Sequence, residues 1–179
     1  MKTFRIILWA VVLIVVLSVG MYKMEGNQKQ IVLLETNMGN IEIEMASDMP
    51  ITTGNFVGLV EKGTYNGVIF HRIIDGFMIQ GGDPTGTGYG DPNIPNIKDE
   101  FGELKNDIGT ISMANAGANT GSSQFFINLV NNNGLDGIHP VFGKVIKGMD
   151  VVEKIAKVST DAGDRPLEEV KIIKAEVLS

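Results

Sequence analysis

The chain has 179 residues, of which 15 are Lys or Arg, 21 are Asp or Glu, two are His and none is Cys. This length predicts one globular domain, and the missing Cys excludes disulfides, thiolate catalysis, Cys-ligated zinc and iron–sulfur clusters. The net charge of −6 argues against a protein that binds nucleic-acid phosphates, whereas the mean hydropathy of +0.13 is high for an acidic soluble domain.

The high hydropathy comes from the N-terminus, where residues 6–22 form a run of seventeen uncharged, mainly apolar side chains. A spanning helix needs about 17–25 apolar residues and a signal peptide needs fewer, so an uncleaved anchor is favoured over a signal cleaved after Gly20. Lys2 and Arg5 predict a cytoplasmic N-terminus and an extracytoplasmic domain, which cleavage would make periplasmic or secreted. We divide the chain into this segment (1–23), a polar linker (24–30) and one domain (31–179).

Two strand-like runs open the domain, Ile31–Glu35 and Asn40–Met45, and the short turn between them predicts a hairpin. Apolar and acidic residues alternate in the second run, which predicts a strand with one face in the core and the other in water. A helix is expected next, with Ser47 or Asp48 as its N-cap and Gly63 just after its end.

The rest of the domain contains short strand-like runs separated by glycine-containing turns, with one further helix predicted over 149–158. Many short strands and only two helices predict a mainly β domain, either a closed barrel or a sandwich. Two long loops, 81–96 and 115–123, interrupt the strands, and long ordered loops in compact domains are often functional. The predicted strands cover residues 68–74, 77–80, 110–114, 124–129, 141–146 and 170–178.

An arginine interrupts the strand predicted over 68–74, in which Val68, Phe70, Arg72 and Ile74 should share one face. A guanidinium is costly to bury without partners, and two interpretations stay open. Arg72 is either a structural residue paired with a carboxylate or a cationic donor on the floor of an apolar groove. Side chains that share faces on later strands favour a groove without nucleophile or base: Met78 with Gln80, and Gln124 with Phe126 and Asn128.

Three other features are only weak evidence for nucleotide binding, serine hydrolysis or metal binding. The glycine-rich run 86–90 lacks the Gly-Lys-Ser/Thr ending of a phosphate loop and the strand-to-helix context of a dinucleotide turn. Serines accompany His71 and His139, but no G-x-S-x-G elbow is present, so a serine hydrolase is a distant alternative. Because the two His are 68 residues apart and no Cys is present, we expect no metal and no cofactor.

Three longer segments follow one another: FHRIIDGFMIQGGD (70–83), ISMANAGANTGSSQFFI (111–127) and LDGIHPVFGKV (135–145). In these segments the chain resembles the cyclophilin family of peptidyl-prolyl cis–trans isomerases, over about residues 31–178. The resemblance implies a closed eight-stranded antiparallel β-barrel capped by two α-helices, with a groove on its outside. It also implies a cofactor-free, monomeric enzyme that acts on proline-containing polypeptides. The short connection from the first helix to Tyr65 resembles the compact prokaryotic type.

The resemblance further implies which residues form the site. Arg72 matches the family's catalytic arginine, and Gln80 would keep its guanidinium oriented. The residues implied in substrate binding are a proline pocket of Phe77, Met78, Phe126 and Leu135, polar contacts from Asn115 and Gln124, an extended segment at Ala114 and Ala116, and the groove histidine His139.

One position departs from the family. Gly134 stands where an aromatic residue, commonly Trp, often precedes the Leu-Asp-Gly of the third segment. That residue lines the groove and matters for cyclosporin in sensitive members, so we predict weak cyclosporin binding and intact proline isomerisation. The alternative function is a non-catalytic peptide-binding chaperone or scaffold that uses the same groove. The presence of Arg72, Phe77, Gln80 and Phe126 favours an enzyme, because a module that only binds could lose them.

Overall fold

The computed structural model describes residues 30–178, which form one sheet of eight strands with two α-helices. The apolar helix predicted over 6–22, and all but the last residue of the predicted linker, lie outside the described residues. Within residues 30–178, no helix is both long and apolar enough to cross a membrane.

The strands and helices lie close to the predicted runs. The hairpin is present, with β1 (Ile31–Thr36) and β2 (Gly39–Met45) joined by a two-residue turn, and α1 (Pro50–Glu61) follows it. The run predicted over 68–74 keeps only its last three residues as a strand. The later elements are β3 (Arg72–Ile74), β4 (Met78–Gly81), β5 (Thr110–Met113), β6 (Phe125–Asn128), β7 (Val141–Lys147), α2 (Met149–Ile155) and β8 (Ile172–Val177), with a 3₁₀ turn at Asn133–Leu135.

The eight strands follow one another in the order β3-β4-β6-β5-β7-β2-β1-β8, and every neighbouring pair is antiparallel. The mainly β class and the two helices are therefore confirmed. The predicted closed barrel is wrong, because no continuous ladder joins the edge strands β3 and β8. The sheet is an open half-barrel, and we call the line between its two edge strands the seam.

The seam has a physical cause. Before β3 a single isolated bridge pairs Ile69 with Lys171, and Phe70 N donates to Val170 O at 2.8 Å. At β3 itself the hydrogen-bond partner is the segment between α2 and β8, because Ile73 N donates to the backbone oxygen of Asp164 at 2.8 Å. A turn thus occupies the free edge of β3, and β8 cannot pair with it.

The N-terminus of α1 also differs from the prediction. Its N-cap is Met49, which makes no side-chain capping hydrogen bond, and neither Ser47 nor Asp48 fills that role. Instead, Glu100 accepts a hydrogen bond from Thr52 N at 2.5 Å, and Asp48 accepts one from Glu103 N at 2.8 Å. A remote carboxylate therefore satisfies a free N–H of the first helical turn. The predicted end is confirmed, because Gly63 follows the helix with a φ of +70°.

The concave side of the sheet is filled by a cluster of aromatic rings centred on Phe56 of α1. Its ring centroid lies 5.1 Å from that of Tyr65, 5.5 Å from that of Phe125 and 5.1 Å from that of Phe142. All four side chains are fully buried, together with inward-facing Ile residues of the strands. Close packing of this kind leaves no space for a peptide inside the sheet, so a substrate site has to be on its outer face.

Candidate active site

A row of side chains crosses three neighbouring strands on the outer face. Arg72 of β3 is the register partner of Gln80 of β4, and Gln80 is in turn the partner of Phe126 of β6. Partners in antiparallel strands project to the same face, so these three side chains are neighbours. The shared faces predicted for Met78 with Gln80, and for Phe126 with Asn128, are thus confirmed.

The row predicted before Arg72 is wrong. Phe70 is fully buried in the aromatic cluster, with its ring centroid 6.2 Å from that of Phe125, and Ile73 is also in the core. Two core residues three positions apart cannot belong to one regular strand, because strand faces alternate every residue. The chain is irregular until Arg72, and Arg72 therefore projects outward instead of lying in an apolar row.

The side chain of Arg72 is 43% exposed and forms an ion pair with Asp164, with 3.4 Å between Nε and Oδ2. Within residues 30–178, neither terminal nitrogen of this guanidinium has a hydrogen-bond partner. The carboxylate partner of the first interpretation is therefore present, whereas the role of Arg72 as a donor to substrate stays a prediction. One edge of the guanidinium is paired with a carboxylate, and the other edge remains a free cationic donor.

Gln80 bonds to a second amide and not to the guanidinium. Its Nε2 donates to Oε1 of Gln124 at 3.0 Å, and Nε2 of Gln124 donates to the backbone oxygen of Gly88 at 3.0 Å. In the described part of the chain, Gln80 makes no hydrogen bond with Arg72. The prediction that Gln80 lies beside Arg72 is confirmed. The predicted hydrogen bond that would orient the guanidinium is not present among residues 30–178.

The four residues predicted to form the proline pocket differ in burial. Met78 and Phe126 are 2% and 5% exposed, whereas Phe77 and Leu135 are half-buried. His139 stands edge-on to Phe126, with 5.4 Å between ring centroids, and its Nδ1 lies 3.2 Å from the backbone oxygen of Met113. We call the set Phe77, Met78, Phe126 and Leu135 the proline pocket.

A polar network holds the rim of this pocket. Asn106 is fully buried, and both its backbone and its side-chain nitrogen donate to Oδ1 of Asp136, at 2.8 and 3.0 Å. These hydrogen bonds keep the pKa of Asp136 below its usual range. Asn132, which begins the turn carrying Leu135, donates to the backbone oxygen of Phe77 at 2.9 Å. The network therefore connects two sides of the proline pocket.

A groove of about 560 Å³ lies beside the polar row. It contains five of the predicted site residues: Gln80, Ala114, Asn115, Ala116 and Gln124. Arg72, His139 and the proline pocket lie outside this cavity. The residues of its opposite wall were not among the predicted site residues, although they belong to the long loop 81–96 that was expected to be functional. That wall is formed by Gly88, Tyr89, Gly90, Asp91, Pro92, Ile94, Pro95 and Asn96.

The extended segment along the groove is fixed at both ends. Ala114 N donates to the backbone oxygen of Gln124 at 3.0 Å, and Ala116 N donates to Oγ1 of Thr120 at 2.8 Å. The side-chain nitrogen of Asn115 donates to the backbone oxygen of Ile138 at 2.7 Å. The amide of Asn115 thus already holds the neighbouring turn.

Asp83 organises the groove wall from within. Its carboxylate is fully buried and accepts hydrogen bonds from Thr85 N at 2.9 Å, Thr85 Oγ1 at 2.8 Å, Gly88 N at 2.7 Å and Gly90 N at 3.1 Å. Burial raises the pKa of Asp83, but the hydrogen bonds from Thr85, Gly90 and Gly88 outweigh it, so the pKa lies below its usual value. The glycine-rich run therefore surrounds a carboxylate of its own chain, which occupies N–H groups that a phosphate loop would offer to a ligand.

The serine hydrolase alternative finds no support in the geometry. Oγ of Ser112 donates to Oδ1 of Asn106 at 2.7 Å. His71 is buried, and burial lowers its pKa, with Asp83 opposing that shift. Among residues 30–178, neither His hydrogen-bonds to a serine, so no base is placed to activate one.

The chain matches known proteins over the whole described domain. Residues 31–177 match the family model described as cyclophilin type peptidyl-prolyl cis-trans isomerase/CLD. The chain is 48% identical over 159 residues to the peptidyl-prolyl cis-trans isomerase CYP18-2 of Arabidopsis thaliana, which covers 86% of this chain and 96% of that protein. It is also 48% identical over 151 residues to the isomerase ppi1 of Schizosaccharomyces pombe, which covers 81% of this chain and 97% of the relative.

Solved structures agree with these relatives. The crystal structure of a cyclophilin type peptidyl-prolyl cis-trans isomerase from Cryptosporidium parvum superposes with a TM-score of 0.80 at 37% identity, covering 84% of this chain and 98% of that one. A second structure of that protein, in the presence of the dipeptide Ala-Pro, also has a TM-score of 0.80, at 38% identity over 84% and 99% of the two chains. The chain described here belongs to the cyclophilin family and is a peptidyl-prolyl cis–trans isomerase.

Proposed function

We propose that Arg72 and the proline pocket lower the barrier to rotation about X–Pro bonds by favouring the twisted amide. Rotation is slow because resonance gives the C–N bond partial double-bond character and a barrier of about 18–20 kcal/mol. No covalent bond has to break. A site that binds the twisted amide more tightly than either planar form is therefore sufficient for catalysis.

In this proposal the proline ring enters the proline pocket while the peptide lies along the groove at residues 114–116. The ring stays fixed and the carbonyl side of the bond rotates. As conjugation is lost, the prolyl nitrogen regains a lone pair, and a terminal N–H of Arg72 donates a hydrogen bond to it. The planar amide gives that donor little to bind, so the hydrogen bond stabilises the transition state selectively.

The observation that carries this proposal is the row Arg72, Gln80 and Phe126. It makes the cationic donor and the pocket floor neighbours on one rigid sheet, separated only by a neutral amide. An arginine stays protonated throughout the neutral range. We therefore expect the isomerase activity to vary little between pH 6 and 8.

The test is an Arg72→Ala variant, measured with a short proline peptide by exchange spectroscopy and by calorimetric binding. Loss of one transition-state donor is expected to lower kcat by about 100-fold or more while the peptide Kd stays the same. Lys147→Ala, which removes an exposed cation far along the sheet, is the matched control. Full activity in Arg72→Ala would overturn the proposed role, and a parallel loss of binding would assign Arg72 to recognition.

We further propose that the substrates are proline-containing segments of exported polypeptides, and that the domain works as a monomer. The Ala-Pro dipeptide used with the Cryptosporidium parvum relative supports the substrate class. The apolar run 6–22, preceded by Lys2 and Arg5, supports an anchor that places the domain outside the cytoplasm. The short connection after α1 supports the compact prokaryotic type. N-terminal sequencing and membrane fractionation of the full chain test the anchor, and mature protein beginning after Gly20 would replace it with a signal peptide.

A further inference from the structure

The turn that occupies the free edge of β3 contains an unusual backbone conformation. Asp164 has a φ of +65°, and within residues 30–178 only one other non-glycine residue, Asn119, has a positive φ. L-residues avoid this region, although Asp and Asn adopt it more readily than most. Strained residues of this kind persist only where the surroundings hold them, and they concentrate at functional sites.

Asp164 contacts two consecutive residues of β3 in two different ways. Its Oδ2 lies 3.4 Å from Nε of Arg72, and its backbone oxygen accepts a hydrogen bond from Ile73 N at 2.8 Å. The backbone hydrogen bond fixes the position of the turn along β3. With that position fixed, the carboxylate lies beside Nε of the guanidinium, and the two terminal nitrogens have no hydrogen-bond partner among residues 30–178.

The turn is held rigid independently of Arg72. Oδ1 of Asp161 accepts hydrogen bonds from Gly163 N at 2.8 Å and Arg165 N at 3.0 Å, and Asp161 N donates to Arg165 O at 2.8 Å. Nη1 of Arg165 then donates to the backbone oxygen of Gly86 at 2.8 Å. These hydrogen bonds hold the turn together and connect it to the loop organised by Asp83, so the position of Asp164 is fixed.

We propose that Asp164 is a positioning residue for isomerisation, which holds Nε of Arg72 so that the terminal N–H groups point at the rotating bond. The inference rests on the proposed catalytic role of Arg72. Gln80 makes no hydrogen bond with Arg72 in the described contacts, so Asp164 is the partner that restrains the guanidinium. An ion pair at Nε restricts the rotation of the planar guanidinium about its last flexible bonds. Both side chains are nearly half exposed, at 43% and 42%, so the pair contributes orientation more than folding stability.

Two substitutions separate the side chain from the backbone. Asp164→Gly removes the carboxylate and relieves the positive φ, and it keeps the backbone oxygen that Ile73 N requires. Asp164→Asn keeps the shape and the left-handed conformation and removes only the charge. Glu42→Gln is the matched control, because it removes one carboxylate and one ion pair, with Lys147, on the far side of the sheet.

We expect kcat to fall about two- to fivefold in Asp164→Gly and less in Asp164→Asn, the range that an exposed ion pair can supply. The peptide Kd and the urea midpoint should match those of the wild type and of Glu42→Gln. The chain has only three arginines, so their Nε–H resonances can be assigned with Arg72→Lys. In the wild type the Arg72 Nε proton should exchange slowly with water, and in Asp164→Gly it should exchange faster.

Unchanged kcat in Asp164→Gly, with Arg72→Ala inactive, would overturn the role of Asp164 and leave that of Arg72 intact. Full activity in Arg72→Ala would overturn both. Equal losses of kcat, peptide affinity and urea stability in Asp164→Gly would show a merely structural turn, and that also contradicts the proposal. An Arg72 Nε proton whose exchange is the same in both proteins would show that Asp164 does not hold the guanidinium.

Discussion

Gln80 and Gln124 are joined side chain to side chain across two strands, with 3.0 Å between Nε2 of the first and Oε1 of the second. Gln124 lies two residues before Phe126, the register partner of Gln80, so the two amides are diagonal neighbours on one face. Because Gln124 also donates to Gly88, the pair connects the neighbour of Arg72 to the groove wall.

Gln124→Ala should therefore loosen the groove wall and free the Gln80 amide. We expect kcat/KM to fall about three- to tenfold, since two hydrogen bonds of about 0.5–1.5 kcal/mol each are lost from a half-buried site. Measurement of kcat/KM on a proline peptide checks this, with Asn93→Ala, an exposed residue of the loop 81–96, as the control. A variant with wild-type kcat/KM would show that the amide pair has no part in shaping the site.

Asp83→Asn should destabilise the domain and change its response to acid. The buried carboxylate accepts five hydrogen bonds, and we expect its replacement to cost about 2–3 kcal/mol in urea unfolding at pH 7. Because the folded pKa of Asp83 is lowered, the unfolded chain binds more protons in acid. The stabilisation is complete above the usual aspartate pKa of about 3.9 and disappears as the pH falls through the folded value.

The difference in unfolding free energy between wild type and Asp83→Asn should accordingly shrink as the pH falls below about 4. Asp91→Asn removes the same charge from a half-buried position of the same loop, where the carboxylate accepts hydrogen bonds only from Asn93, and its difference from wild type should be smaller at every pH. A gap between wild type and Asp83→Asn that stays constant down to pH 2 would contradict the prediction.

Asn106→Leu should destabilise the proline pocket, because it removes the centre of the polar network that supports it. It removes the side-chain hydrogen bond to Oδ1 of Asp136, which keeps only the one from the backbone nitrogen, and it leaves the Oγ hydroxyl of Ser112 without its acceptor. We therefore expect a cost of about 3 kcal/mol in unfolding free energy and weaker peptide binding. Ser112→Ala removes only one side of the network and should cost about 1 kcal/mol. Calorimetric titration and urea unfolding of both variants check this, and equal costs would show that Asn106 is not the centre of the network.

Gly134→Trp should introduce cyclosporin sensitivity without disturbing the fold. A Cβ added at Gly134 meets no atom within 4 Å, and the residue is exposed, so an indole has open space at this position next to Leu135. Burying such a ring against a ligand is expected to tighten binding about tenfold or more. Inhibition titrations of both proteins measure this, and tight inhibition of the unmodified chain would contradict the effect assigned to Gly134.

Structural features that depend only on neighbouring residues in the chain were predicted well. The alternation around Ile41 and Ile43, the glycine after α1, and the shared face of Met78 and Gln80 are all set by neighbours in the chain. The motif resemblance supplied the identities of Arg72 and the proline pocket, which spacing alone left open. The roles of these residues stay predictions, which the Arg72→Ala experiment tests.

The remaining features depend on partners far away in the chain. Glu100 reaches the first turn of α1 from 48 residues downstream, and Asp164 meets Arg72 from beyond α2. Nothing in the neighbouring sequence distinguishes these two acids from the other carboxylates of the chain. The seam could not be predicted either, because it results from a competition between β8 and the turn at Asp164 for the same edge of β3.

The seam also determines how readily the site can accept substitutions during evolution. Arg72 lies on a strand that the sheet holds from one side only, and the other side is a turn. In a fully closed ladder, a change beside the guanidinium would alter strand register around the whole barrel. Here the turn can accept substitutions or a new length while the other seven strands keep their partners, so catalytic power and fold stability can evolve separately.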